Sequence, residues 1–484
     1  MSGTPRRDWL TTTSVGAALV ILGCTWAFAV ARYGGPDEPA HVIRAAAAAR
    51  GDLIGQPVDD FEPGYRAVRV AAPLASGDPA CFRHSGTVTA ECAVVADEPG
   101  LRDVATSAGS APPWYYVIVG AIARALSSGR TVLGHRMAAV LLGALLLGAA
   151  IARGRRSGTS AWLLVGLTPS AWFLFGVVGT SGIEIALIAL ALVEAVERFQ
   201  TAGLPPPIER VTVPLAVCLL IRPTALIDVA LVALVVAPSL PRPTVRPGVR
   251  SITRLALPFA IAAVGWLAWT WWADAALNDQ RTADTQPLSS VLRNSLSDIP
   301  TTVHQAVGAL GWNEFLAPLL AQVIWVAVLG YAVWHVVRRG SSWHRYWHAC
   351  WLGAALVLPT LVEAVVHRSI GQVWQGRYSI PFDIGGVIYA ARYGRPRLAI
   401  MRGLVIAAAV AEVATLWWTL RRYMVGVDGS LTLQHAHWQP PLRPWLLLAL
   451  NAMAMLWLAW TVLATASGSG DVGEDVDDVL GDAG

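Results

Sequence analysis

Two acidic residues stand side by side just past the first apolar run of the chain, in Gly34-Gly35-Pro36-Asp37-Glu38-Pro39-Ala40-His41. A carboxylate held where a span leaves the membrane is placed to take a proton from an incoming hydroxyl or to ligate a metal ion. Pro39 and the run Ala45–Ala49 predict that a helix begins here, with Asp37 near its N-cap and Glu38 in its first turn. The same placement also fits a plain helix cap with favourable dipole contacts. His41, one turn on, is positioned to orient Asp37, and Arg44 to keep it ionised. A second candidate is Gln375-Gly376-Arg377-Tyr378-Ser379-Ile380-Pro381. Its Arg377 either snorkels to headgroups or grips a phosphate through a bidentate guanidinium, with Gly376 leaving room for backbone approach and Tyr378 in the same contact set.

Glu184, in Gly179-Thr180-Ser181-Gly182-Ile183-Glu184, is a carboxylate among apolar residues, costly unless partnered. It caps a helix or faces the same cavity as Asp37. Arg222 and Asp228 lie inside another apolar run, and their spacing is not that of a helical i,i+3 or i,i+4 pair. The other polar groups on this side (Asp60, Glu62, His84, Asp97, Glu98, His367, His435 and His437) are individually weak signals, and His435-x-His437 lacks helical metal spacing. No phosphate-binding P-loop, dinucleotide fingerprint or G-x-S-x-G motif is present.

The elements that must hold these groups are membrane spans. Of 484 residues, 55% are hydrophobic and 14% charged, with mean hydropathy +0.51. Soluble domains carry about 25% charged residues. Apolar runs of span length recur from Trp9 to Ala464. Disordered, coiled-coil and ordinary cytosolic classes are thereby excluded, and the net charge of +4 carries no implication of nucleic acid. All 36 basic residues are Arg. No lysine phosphate clamp or Schiff base exists, so any phosphate contact must come from Arg or backbone amides. The stretch Leu10–Val30 lacks a small-residue cleavage site and is long enough to span. Cys24, Cys218 and Cys350 read as small apolar residues, whereas Cys81 and Cys92 share a polar loop and are expected to pair if that loop faces an oxidising exterior.

Arg placement orients the chain, because cytoplasmic loops collect positive charge. Residues 1–8 read as a cytoplasmic N-terminus, 9–466 as the membrane domain, and 467–484 as a disordered acidic cytoplasmic tail. The segment 32–131 is the large first outer loop, and 111–127, about 16 residues, is a re-entrant or surface-lying helix. Spans are expected near 9–31, 132–152, 160–178, 181–197, 254–273, 315–337, 347–366, 379–391, 399–420 and 442–465, with 211–237 as two half-length helices broken at Arg222-Pro223. That gives about 12 crossings, with 289–310 lying along the outer surface.

The stretch P-D-E-P-A-H-V-I-R-A at 36–45 resembles the opening motif of the predicted membrane proteins called domain of unknown function 2142. So do A-P-P-W-Y-Y at 111–116, which precedes a helix with Arg136 near its start, and Q-G-R-Y-S-I-P at 375–381; G-T-S-G-I-E-I-A at 179–186 is a looser match. That family in turn resembles the GT-C membrane glycosyltransferases. The resemblance implies an all-α polytopic fold of about 11–13 spans with surface helices in the first extracytoplasmic loop. It also implies a plasma-membrane enzyme transferring a sugar from a polyprenyl-phosphate donor to an envelope glycan or glycolipid; a one-carboxylate displacement, with the acid on one face of the sugar and the phosphate clamp on the other, predicts inversion. By the resemblance, Asp37 is the base or the acceptor-positioning acid with Glu38 beside it, and Arg377 and Arg222 contact the donor phosphate; by their chemistry the two carboxylates are also candidate Mg²⁺ or Mn²⁺ ligands. His41, Arg44, Glu184 and Tyr378 complete the expected substrate set. A transporter or flippase of lipid-linked saccharides and a non-catalytic scaffold are the competing classes. The former predicts broken helices in both halves of the chain.

Overall fold

The computed structural model describes residues 5–58, 65–96, 98–126, 128–155, 157–200, 206–222, 225–236, 249–273, 286–370, 374–394 and 396–467. Asp60, Glu62, Asp97, Pro223 and the acidic tail therefore lie outside the described residues.

Helix α1 (Pro5–Ala29) leads through a tight turn into α2 (Glu38–Ala48). The first loop then forms an antiparallel sheet of β1 (Gln56–Pro57), β2 (Arg66–Ala71) and β3 (Leu101–Thr106) in the order β1-β2-β3. This sheet was not legible in a chain read as all-α. Its alternating Val68 and Val70 are buried, but the strand is too short to stand out against the surrounding turns. Helix α3 (Pro113–Ala125) packs on α2. At 1.5 Å per residue its 13 residues reach only about 20 Å, short of a span, as the sequence predicts. An added Cβ on Gly120 of α3 would stand 2.1 Å from the Ala45 carbonyl oxygen, so only Gly permits this approach.

Helix α4 (Val132–Gly154) runs antiparallel to α1, with Arg136 at the α1 C-terminus and Gly148 beside Gly16 and Leu19 at its middle. The expected span 160–178 is instead two short helices, α5 (Thr159–Gly166) and α6 (Pro169–Phe175). Thr168 caps α6 by accepting from the Ala171 N–H, and Pro169 cannot continue α5, so the Thr-Pro pair breaks the run. Helix α7 (Thr180–Gln200) leaves α6 at 116°. The expected break at Arg222 is present: α8 (Glu209–Ile221) ends with Arg222 in an extended conformation, and α9 (Leu226–Val236) follows.

Helix α10 (Val249–Trp272) precedes α11 (Leu288–Ser297) and α12 (Ile299–Gly308), which fulfil the helical reading of 289–310. A hairpin of β4 (Ala309–Leu310) and β5 (Phe315–Leu316) leads to α13 (Leu319–Arg339), α14 (Ser342–Ile370), a 3-10 turn at Gly376–Tyr378, α15 (Ile380–Ala390), α16 (Leu398–Val425) and α17 (Pro444–Ser467). Among the described residues, seven helices are long and apolar enough to cross a membrane, or eight if the bent pair α6–α7 is one span. This is fewer than the 11–13 expected. The difference lies in α5, α8, α9 and α15, whose described lengths fall below a span, and in α7, which carries Glu184, Glu194, Glu197 and Arg198.

Polar contacts join the bundle where side-chain burial in lipid supplies little drive. Trp26 Nε1 donates to Glu412 Oε1 at 2.7 Å, and Asn451 Nδ2 donates to the same oxygen and to Thr25 Oγ1, each at 3.0 Å, linking α1, α16 and α17. Cys81 and Cys92 form the expected disulfide. Their loop is tied to α16 by buried Arg422, which donates to the carbonyls of Val88, Phe82 and Ser85 at 2.6, 2.9 and 3.0 Å, with Glu314 of the β4–β5 hairpin 3.5 Å away.

The charges sort to the two ends of the bundle. Asp37 and Arg377 meet at one end. At the other, Arg153 pairs with Glu194, Ser157 contacts Glu197, Gln200 Nε2 donates to the Ala391 carbonyl, and Arg339 approaches Gly394. Arg153, Arg338, Arg339 and Arg392 thus gather opposite the acidic pair.

Candidate active site

The end of α1 exposes carbonyls with no partner in the helix. The Arg136 guanidinium fills that need, donating from Nη1 to the Ala27 and Val30 carbonyls at 2.8 and 2.6 Å and from Nη2 to the Ala31 carbonyl at 2.7 Å. Its charge is met by Glu38, to which Nε and Nη2 donate at 2.7 and 2.6 Å. Glu38 is fully buried and also accepts from the Val178 N–H at 3.1 Å and the Gly35 N–H at 3.2 Å. The expected acidic pair is therefore split. Glu38 faces inward as a structural staple, occupied on both oxygens, while Asp37 faces a cavity with its side chain 51% exposed. Asp37 itself sits at φ 57°, ψ 9°, left-handed backbone that costs a non-glycine residue energy and recurs where function fixes a side chain.

The cavity has a volume of about 460 Å³. Asp37, His41, Tyr116, Arg222, Arg377 and Tyr378 stand on its wall. Arg377 Nη2 donates to Asp37 Oδ2 at 2.6 Å and to the Tyr378 hydroxyl at 3.0 Å. Its Nε is buried without a hydrogen-bond partner among the described residues. Arg222 lies 4.4 Å from the centre of the Tyr378 ring and Arg377 5.1 Å from it, so one aromatic ring carries two guanidinium groups. Burial alone pushes the Tyr378 phenol up, but the two guanidinium charges outweigh it and its pKa falls below the ordinary tyrosine value. His41 Nδ1 and the Tyr116 hydroxyl are 2.8 Å apart with stacked rings. Burial pulls the His41 pKa down to about 4; Asp37 opposes the shift, while Arg377 and Arg222 add to it. His41 is thus neutral near pH 7.

Glu184 is placed behind this wall. It accepts from Arg222 Nη1 at 2.8 Å and holds that guanidinium over Tyr378. Asp228 does not pair with Arg222 and stands buried against Glu184. Arg44 does not reach the cavity: its head donates to the carbonyls of Ala111 at 2.9 Å and Asp52 at 3.3 Å, tying α2 to the loop beyond it. Gly376 makes room for a neighbour rather than a ligand, since an added Cβ would lie 2.3 Å from Gln305 Cβ on α12. Asp37 and Glu38 diverge and make no joint metal pair, and among the described residues no cluster of three or more His, Cys, Asp or Glu side chains is arranged to hold an ion. The residues do not fit the expected Mg²⁺ or Mn²⁺, and no step is routed through one.

Sequence reasoning named the segments of two further residues but gave neither a role. Arg136 had a readable signal, a lone charge in the apolar run Val132–Ala152. Tyr116 had none beyond its place in A-P-P-W-Y-Y, because its partner His41 is 75 residues away.

Fold and cavity together define a polytopic helical membrane protein with one carboxylate and two guanidinium groups in a shared pocket at one end of the bundle. The chain belongs to the family of predicted membrane proteins DUF2142, whose model matches residues 20–384. Among solved structures, ArnT from Cupriavidus metallidurans bound to undecaprenyl phosphate is similar at 14% identity, covering 94% of this chain and 76% of that one, with a TM-score of 0.47. The same protein in the apo state is similar at 13% identity over 96% and 77%, also with a TM-score of 0.47. No curated protein matches the chain.

Proposed function

We propose that the chain is a membrane glycosyltransferase that moves a sugar from a polyprenyl-phosphate donor to a cell-envelope glycan or glycolipid, acting on the extracytoplasmic side with inversion. The observation that carries this reading is the meeting of Asp37, Arg222 and Arg377 on one cavity wall, from segments far apart in the chain. In this reading the donor's phosphate lies against Arg377 and Arg222, its tail in lipid. The glycosidic bond to the phosphate breaks as the guanidinium groups take up the negative charge that develops there. The acceptor hydroxyl attacks the opposite face of the anomeric carbon and gives its proton to Asp37. The ion pair with Arg377 holds the Asp37 carboxylate in place until the donor phosphate competes for the guanidinium. Tyr378 and Glu184 orient the two arginines, and neutral His41 with Tyr116 lines the sugar side.

The gathering of arginines at the opposite end of the bundle supports cytoplasmic termini and an outward-facing cavity in the plasma membrane. A flippase would place broken helices in corresponding positions of two halves. Among the described residues, the breaks at 167–168, between α6 and α7, and after Ile221 cluster in the N-terminal half, which favours the enzyme.

Protein purified into nanodiscs and given candidate polyprenyl-phosphate sugars with envelope acceptors tests this. Turnover lost in Asp37→Asn by about 10²–10⁴-fold is the expected result; unchanged turnover in that variant removes the proposed catalytic role. Arg377→Gln is expected to weaken donor binding, and intact donor affinity contradicts the phosphate contact.

A further inference from the structure

A second cavity of about 250 Å³ lies further along α2 and α3 and shares no residue with the first. Arg50 at the end of α2, Arg124 near the end of α3, Arg130 just before α4 and His135 in the first turns of α4 all line it. None of the three arginines has an ion-pair partner among the described residues. Three guanidinium groups around one small void repel one another unless an anion joins them.

Arginines near helix C-termini also serve last carbonyls, of their own helix or of a neighbouring one. That accounts for Arg124, whose Nη1 donates to the Ala49 carbonyl at 3.2 Å. It does not account for Arg130, which precedes the Thr131 N-cap and so places a positive charge at the positive end of α4. Nor does it account for His135. This residue is fully buried, its Nδ1 is engaged by the Thr131 carbonyl at 2.8 Å, and its Nε2 has no partner among the described residues. A buried imidazole nitrogen without a partner carries a desolvation cost that a ligand oxygen would relieve.

We propose that this second cavity is a binding site for a phosphate-class anion, held by Arg50, Arg124 and Arg130 with His135 completing the contact set. The exposed outer edges of the three arginines leave it open to a phosphate on a lipid headgroup as well as to a free one. Void size suits a single phosphoryl group rather than a nucleotide.

The test uses the full chain, with and without Arg377→Gln so that phosphate binding in the first cavity is separated from binding here. Inorganic phosphate is titrated at constant ionic strength against protein in phosphatidylcholine nanodiscs, read by thermal midpoint. Phosphatidylglycerol retention is read in parallel by native mass spectrometry. In the Arg377→Gln background, Arg50→Gln/Arg130→Gln is expected to weaken one of these ligands about tenfold or more, since hydrogen bonds to charged groups are the strong ones. Loss with inorganic phosphate identifies a free anion, and loss with phosphatidylglycerol alone identifies the headgroup. His135→Gln is expected to weaken the same ligand. Binding of both probes unchanged in the double arginine variant overturns the proposal. So does full affinity in His135→Gln, which reduces the arginines to diffuse surface charge. If His135→Gln does not fold, the double variant, altered only at exposed positions, decides alone.

Discussion

At the scale of single residues, adjacent acids with the same charge have opposite fates. Asp37 is displayed and Glu38 is consumed, and substitutions should separate them. Glu38→Gln removes the charge that neutralises a fully buried Arg136, a change that typically costs about 3–5 kcal/mol. It should therefore lower the thermal midpoint strongly, whereas Asp37→Asn, half-exposed, should lower turnover with little change in midpoint; equal midpoint losses in the two would refute the division of roles. pH separates two further groups. His41 has its pKa lowered from 6.5 to about 4, so folding favours its neutral form; the stability this gives is present above pH 6.5 and is lost as pH falls toward 4. Glu314 moves the other way, raised by burial from 4.5 to about 7 against the pull of Arg422, so stability falls as pH rises across that window. The two slopes oppose each other in the intact protein. Midpoints recorded from pH 4 to 7.5 should show a steeper rise with pH in Glu314→Gln and a flatter or falling profile in His41→Gln.

At the scale of elements, short helices and close approaches decide where those residues stand. Helix α3 rests on α2 through Gly120, and a methyl there meets the Ala45 carbonyl. Gly120→Ala should cost about 1–3 kcal/mol, the usual range for overpacking, and should also disturb Tyr116, one turn away on the cavity wall. A midpoint shift with an accompanying rise in donor KM is the expected readout. The Cys81–Cys92 bridge and Arg422 hold the first long loop on α16. Replacing both cysteines with Ser should lower the midpoint by an amount equivalent to about 2–4 kcal/mol, and unchanged stability under reductant would show that Arg422 suffices. Span positions and the break at Arg222 were readable because apolar length and proline act locally. The splitting of 160–178 was readable in principle from Thr168-Pro169, but its continuous hydrophobicity masked the break. The loop sheet was not readable, since pairing β2 with β3 joins strands 30 residues or more apart through turns with no regular period.

At the scale of the whole molecule, the bundle carries a charge asymmetry, with Arg153 and Arg339 at the end opposite Asp37 and Arg377. Reporter fusions after residue 155 and at residue 375 lie at opposite ends and should give opposite signals; same-side signals would break the reading of the cavity as outward-facing. Composition, hydropathy and short motifs alone determined that this is a multi-span protein, that any phosphate must be met by Arg or backbone amides, and that Asp37 and Arg377 merit attention. Each of those conclusions rests on residue type and on short-range periodicity. Only the tertiary structure decided that Asp37 and Arg377 touch although 340 residues apart, that Glu38 is spent on Arg136, and that a second basic void exists between α2, α3 and α4. Side-chain direction and long-range contact depend on how helices cross and where their ends find hydrogen-bond partners, and neither is encoded in any local stretch of sequence.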